Sequence, residues 1–161
     1  ICWCIFKRSM YDLQRALSAL NISSEIINGS IGRDERDVIL SGFKNKKFSV
    51  LITNPHTLAE SVSLHTICHD AVYFEYSYNL VHLLQSKDRI HRLGLPDGQY
   101  TQYYYFMDYF KVNGKDYSLD RMIYNRLMDK ELLMLNAIDH KVLETGASDE
   151  EDLQLILGDL Y

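Results

Sequence analysis

Proline is nearly absent from this chain of 161 residues: only Pro55 and Pro96 occur. A proline-rich stretch would read as an extended linker, and none is present. Long hydrophobic runs are missing too. No apolar stretch approaches the roughly 20 residues that a helix needs to cross a bilayer. The opening residues ICWCIF carry no basic leader and no small-residue cleavage site. They read as a strand already in progress rather than a signal peptide, as in a piece of a longer protein. Cysteine is scarce. Cys2, Cys4 and Cys68 are odd in number and lack framework spacing, which excludes a disulfide scaffold and fits a reducing, intracellular compartment. Cys68 with His65 and His69 has no second ligand pair at zinc spacing, so a structural role is the better reading of the three. Excess positive charge is lacking as well: 17 basic against 22 acidic residues leave a net charge of −5. Tight binding to nucleic acid by charge alone is therefore not expected, and a partner domain would supply much of the positive surface.

What is present is an ordinary globular balance, 47% hydrophobic and 24% charged, at a length that suits one domain with a sizeable core. Apolar runs at 1–6, 48–53 (FSVLIT) and 70–75 read as buried parallel strands, with a shorter strand at 24–28. Between them lie helical patterns. Ser9 is expected to start a helix with Asp12 at its third position, and Arg33 to open another with Val38, Ile39 and Phe43 on its apolar side. Asn28-Gly29-Ser30 and Asn113-Gly114 are turn signals. The aromatic run TQYYYFMDYF ending at Phe110 reads as a further strand, and residues 117–143 as a long helix. Its stripe of Leu119, Met122, Ile123, Leu127, Met128, Leu132, Leu135 and Ile138 is core or inter-domain packing. After Gly146-Ala147, Ser148 and Glu151 form a capping box for a last, acidic helix.

The stretch that carries chemistry is QSKDRIHRLG, residues 85–94. Residues three or four apart share a helix face, so Gln85, Arg89 and Arg92 can point the same way, with Asp88 beside them. Two guanidiniums on one edge form a fork for an anion with several oxygens, most naturally a phosphate. A solvated basic face paired with Asp88 is the alternative.

This stretch resembles motif VI of superfamily 2 helicases, in the Q-x-x-D-R-x-H-R-x-G form of Swi/Snf-type DNA translocases. AVYFEYSYN, residues 71–79, resembles the strand and loop before it, with Glu75 at an acidic position and Tyr78 where many relatives carry Trp. NGSIGRDERDVILSGF resembles the segment after motif IV, where a helix start meets a nucleic-acid phosphate; Gly29, Ser30 and Arg33 are its candidates. Free N–H groups at a helix start favour an anion, although a turn that merely reverses the chain is an equal reading. NPHTLAESVSLH resembles motif V, with Thr53 and Asn54 at its start. That motif usually carries G-x-G; here Ala59 and Ser61 stand in its place, followed by Ser63 and Leu64. Serine hydroxyls would have to act as donors where glycine backbone usually approaches.

The resemblance covers most of residues 1–145. It implies an α/β fold: a RecA-like, mostly parallel open sheet with helices on both faces, plus a C-terminal helical extension. The lobe itself would span 1–112, a long helix packing back on it 113–145, and the acidic amphipathic helix 146–161. It implies the second motor lobe of an ATP-dependent DNA helicase or translocase. Arg89 and Arg92 would act as arginine fingers, with Gln85, Asp88 and Glu75 on the nucleotide side. Gly29, Ser30, Arg33, Thr53, Asn54, Ser61 and Ser63 would meet the DNA backbone without reading sequence. ATP and Mg2+ would be held mainly by a first lobe, because no G-x-x-x-x-G-K-[ST] loop or acidic magnesium motif occurs here. That first lobe is the expected partner; no membrane is, and the fragment is expected to be a monomer. Short spacing between motifs V and VI resembles prokaryotic relatives, hence a cytoplasmic, nucleoid-associated setting, or a nuclear one in a eukaryote. The rival is a non-catalytic RecA-like scaffold that binds a partner.

Overall fold

The computed structural model describes residues 1–58, 62–92, 95, 98–140 and 154. The chain divides into two compact units. The first comprises Ile1–Tyr76 and Val81–Phe106, the second Ser77–Leu80 and the residues from Met107 onward.

The first unit is built on five parallel strands: β1 (Cys2–Trp3), β2 (Ser24–Ile27), β3 (Val50–Thr53), β4 (Asp70–Tyr73) and β5 (Gln102–Tyr105). Their order is β2-β3-β1-β4-β5. Parallel strands are buried on both faces, which is why VLIT and DAVY are nearly all apolar. The register Ile26↔Ile52, Cys2↔Ile52 and Cys2↔Val72 lines up one face. Against Cys2, Cys4, Ile26 and Ile52 pack Met10, Leu13 and Leu17 of α1 (Lys7–Ala19). Those three recur at helical spacing, and Met10 is fully buried. The other face carries Trp3, Tyr73 and Tyr105; the Tyr73 and Tyr105 rings stack with centroids 4.8 Å apart. Onto it packs α3 (Leu80–Lys87) through Leu83 and Ser86, both buried. The Ser86 hydroxyl donates to the Leu83 carbonyl at 2.6 Å and lies 2.7 Å from the Tyr73 hydroxyl. The expected parallel sheet with helices on both faces is thus present.

Several expected details differ. The first helix begins at Lys7, not Ser9, with Phe6 as its N-cap, and no side chain of its own caps it. α2 (Arg33–Lys44) buries Leu40, Gly42 and Phe43, while Val38 is 71% exposed, off the apolar side expected for it. The helix of the arginine stretch ends at Lys87, and residues 88–90 form a turn. The aromatic run is not one strand. Tyr103 and Tyr105 are half-buried in β5, Tyr104 and Phe106 are exposed, and Phe110 belongs to another element.

In the second unit, β6 (Phe110–Val112) and β7 (Lys115–Tyr117) form an antiparallel hairpin. Asn113 at φ 51° and Gly114 at φ 80° make the turn, as a two-residue hairpin loop requires. α4 (Leu119–His140) follows, with the buried Ser118 hydroxyl accepting the Arg121 N–H at 3.1 Å. The Met and Leu stripe is only partly packed: Leu127 is fully buried, but Leu132, Leu135 and Ile138 are exposed. The expected acidic helix from Ser148 onward lies outside the described residues except Gln154. Among the described residues no helix is long and apolar enough to cross a membrane.

Candidate functional site

Ligand sites of open parallel sheets lie beyond the carboxyl ends of the strands. Three candidate segments begin there. After β2, Asn28 is fully buried, and its Oδ1 accepts the Ser30 N–H at 2.9 Å, which shapes the turn. Gly29 and Ser30 are exposed, and Arg33 is the first residue of α2, behind Gly32 as N-cap. A Cβ added at Gly29 would meet nothing within 4 Å, so the segment faces open space. Lys7, from the start of α1, donates to the Ser30 hydroxyl at 2.5 Å. That cation joins Ser30 across 23 residues of chain, and no local spacing announces it.

After β3, Thr53 is fully buried, and its hydroxyl faces the Asn54 carbonyl at 3.4 Å. Asn54 Oδ1 accepts both the N–H and the hydroxyl of Thr57, at 2.8 and 2.6 Å. Arg36 of α2 donates to the Thr57 carbonyl at 3.2 Å, tying α2 to this loop. Ser63 lies 2.5 Å from His65 Nδ1. Ser61 lies outside the described residues. Leu58 and Leu64 are fully buried, so the loop is anchored by its apolar side chains.

Glu75, just past β4, accepts the Ile5 and Phe6 N–H groups on Oε2, both at 3.0 Å, and the Ser9 hydroxyl on Oε1. Its carboxylate thus sits at the start of α1, where the helix dipole favours a negative charge. Glu75→Ala strips three donors of a charged acceptor. Hydrogen bonds to charged groups and helix caps together suggest a loss of about 1–3 kcal/mol. For a chain of this size the melting temperature should fall by roughly 3–10 °C, with Glu75→Gln intermediate. Thermal denaturation of both variants checks this, and an unshifted Glu75→Ala would remove Glu75 from the α1 start.

The arginine stretch follows α3. Leu83 and Ser86 share the buried face of α3, and Ile90, in the turn that follows it, is fully buried between the two arginines. Gln85 is half-buried, three residues beyond the half-buried His82 on a face away from that core. Asp88 is exposed, with its N–H donated to the Leu84 carbonyl. The Arg89 carbonyl accepts the Leu64 N–H at 2.8 Å, so the end of the 54–64 loop is bonded to the arginine-bearing backbone. Arg92 is exposed, and its Nε donates to the Asp88 carbonyl at 2.9 Å, which folds it back over the turn. Burial and then the nearby Arg92 charge lower the Arg89 pKa, with Asp88 opposing them. Two like charges held this close favour a bound anion. Among the described residues neither guanidinium is in an ion pair, unlike Arg8 and Arg15, which both reach Asp12. The arrangement therefore suits an oligophosphate as ligand. Among the same residues no group of three or more His, Cys, Asp or Glu could hold a metal ion.

The comparisons with known proteins agree with this geometry. Residues 1–94 match the family model for the helicase conserved C-terminal domain. The chain belongs to that family. The matched span takes in β1 through β4, α3 and the whole arginine stretch. Among curated proteins no match was found. Solved structures share the fold. The C-terminal part of the Fun30 ATPase domain aligns with a TM-score of 0.68 at 15% identity, over 99% of this chain and 46% of that one. A Dbp5 variant from S. cerevisiae, bound to RNA and ADP BeF3, aligns at 0.61 and 16% identity, over 80% and 31%. A DEAD box protein from the hyperthermophile Methanococcus jannaschii aligns at 0.58 and 18%, over 83% and 32%. The chain spans less than half the length of each of these. The fold of this helicase C-terminal domain is RecA-like, with an additional C-terminal helix in α4.

Proposed function

We propose that this helicase C-terminal domain is the second motor lobe of an ATP-dependent superfamily 2 translocase or helicase of the Swi/Snf type. It would supply Arg89 and Arg92 to ATP bound by a first lobe. The observation that carries this reading is the arginine pair: two guanidiniums on one short turn, one half-buried, with no carboxylate paired to either among the described residues. Asp88 acts on Arg89 electrostatically but forms an ion pair with neither guanidinium, and a scaffold has no use for two such adjacent cations. ATP supplies the phosphoryl group and Mg2+ its usual charge neutralisation, both held mainly by the other lobe. Arg89 and Arg92 would stabilise charge on the transferred group as the lobes close. Gln85 and Asp88 would orient the pair, Asp88 through the carbonyl that holds Arg92.

Nucleic acid would lie along the carboxyl-end loops, meeting Gly29, Ser30, Arg33, Asn54, Ser61 and Ser63, with Lys7 joining them; Thr53, expected among them, is fully buried and would shape the loop instead. DNA is the proposed track. Fun30 is the relative that supports the Swi/Snf assignment, and Dbp5, solved with RNA, makes RNA the competing track. The chain should bind DNA weakly and without sequence preference, with affinity falling steeply as salt rises. Lys7→Ala and Arg33→Ala should each flatten the log–log salt slope by about 0.9 for a duplex. Fluorescence anisotropy with single-stranded DNA, duplex DNA and RNA of one sequence checks this. Tight, sequence-specific binding at physiological salt, or an unchanged slope in both variants, would contradict the backbone site. A clear preference for RNA would reassign the track.

A further inference from the structure

The 54–64 loop runs from the carboxyl end of β3 to the arginine pair. Its far end is bonded to Arg89 through the Leu64 N–H. Its near end makes a different contact, with α3 itself. The rings of His56 and His82 meet edge to face, with centroids 3.8 Å apart and planes at 68°. His56 follows the buried Pro55 and lies inside the turn that Asn54 closes on Thr57. His82 lies near the start of α3, three residues before Gln85 on the same helix, which ends at Lys87 just ahead of the turn that carries Arg89. α3 is fixed about its axis by Leu83 and by Ser86 against Tyr73. His82 therefore presents its ring to the loop from a rigid element. On the other side Arg36 holds the Thr57 carbonyl. The turn is gripped from α2 and from α3 at once.

We propose that His56 and His82 form a positioning pair that holds this loop against α3, the helix that leads into the arginine-bearing turn. The inference rests on the motor reading for its consequence: the loop that would contact nucleic acid is coupled through two rings to the helix that leads into the turn carrying the proposed fingers. An edge-to-face ring contact adds to simple burial, and two charged imidazoliums held this close would repel. Burial, and after it the neighbouring His56, lower the His82 pKa, which favours its neutral ring.

The test is a double-mutant cycle in the parent protein, with two readouts. One is amide hydrogen exchange across residues 54–58, and the other is turnover stimulated by nucleic acid. His56→Ala and His82→Ala should each speed exchange about 2- to 10-fold, the range an aromatic pair contributes. Each should lower stimulated kcat by a similar factor while the KM for ATP holds. The double variant should be no worse than either single one. His82→Phe, which keeps a ring in place, should restore most of the protection and most of the stimulation. Additive effects in the cycle, or singles with wild-type exchange at 54–58, would overturn the pair. A parent protein that hydrolyses no ATP would instead refute the motor reading. The exchange cycle would still decide the pair.

Discussion

Arg92→Ala in the parent protein should lose nearly all of its ATP hydrolysis, by a factor on the order of 10³–10⁵, while the domain stays folded. Arg92 is exposed, and its one described hydrogen bond runs from Nε to the Asp88 carbonyl, so truncation removes little that holds the fold. Surface substitutions of this kind usually change stability by about half a kcal/mol or less. The catalytic loss is large because the guanidinium should meet the phosphoryl oxygens only when the lobes close, so its contribution appears in the transition state. Nucleotide affinity should fall far less than turnover, since the first lobe would make most ground-state contacts. Arg92→Lys should recover little, because an ammonium on a flexible stem cannot reproduce the planar fork. If Arg92 were merely a solvated cation, both variants would turn over ATP like the wild type. ATPase rate and melting temperature measured on the same preparation separate the two readings.

Much of this fold was legible because buried parallel strands announce themselves. VLIT and DAVY are apolar on both faces, and they occupy the centre of the sheet beside β1. The arginine stretch was legible because its residue types and spacing are unusual together. Its helix was read too long. Ile90 continues the apolar spacing of Leu83 and Ser86, and a turn buries it just as well as another helical turn would. Local pattern cannot tell the two apart. Val38 misled for a related reason: a branched apolar residue beside Ile39 suggests a buried face, but α2 turns Leu40 and Phe43 inward. The capping of α1 was out of reach altogether. Ser9 looked like its start, whereas the acceptor is Glu75, separated from Ser9 by 66 residues of chain. Lys7 at Ser30, Arg36 at Thr57 and His56 against His82 are contacts of the same long-range kind. Each becomes visible only once β1 is placed between β3 and β4.

On the proposed reading the fork would account for one side of a nucleotide site and no more. The sequence holds no phosphate-cradling G-x-x-x-x-G-K-[ST] loop, whose backbone N–H groups and lysine do most of the ground-state binding in such motors. The proposed arginine fingers would have nothing positioned to act on without that cradle, so this chain by itself should fold yet leave ATP intact. Joined to its first lobe and given DNA, the same residues should complete the site. The most direct measurement is therefore steady-state ATP hydrolysis by the purified 161-residue chain beside its parent protein, each with and without DNA. The account predicts hydrolysis by the chain no faster than a protein-free control, and DNA-stimulated hydrolysis by the parent. Turnover by the chain alone, or a parent that hydrolyses no ATP under either condition, would contradict it.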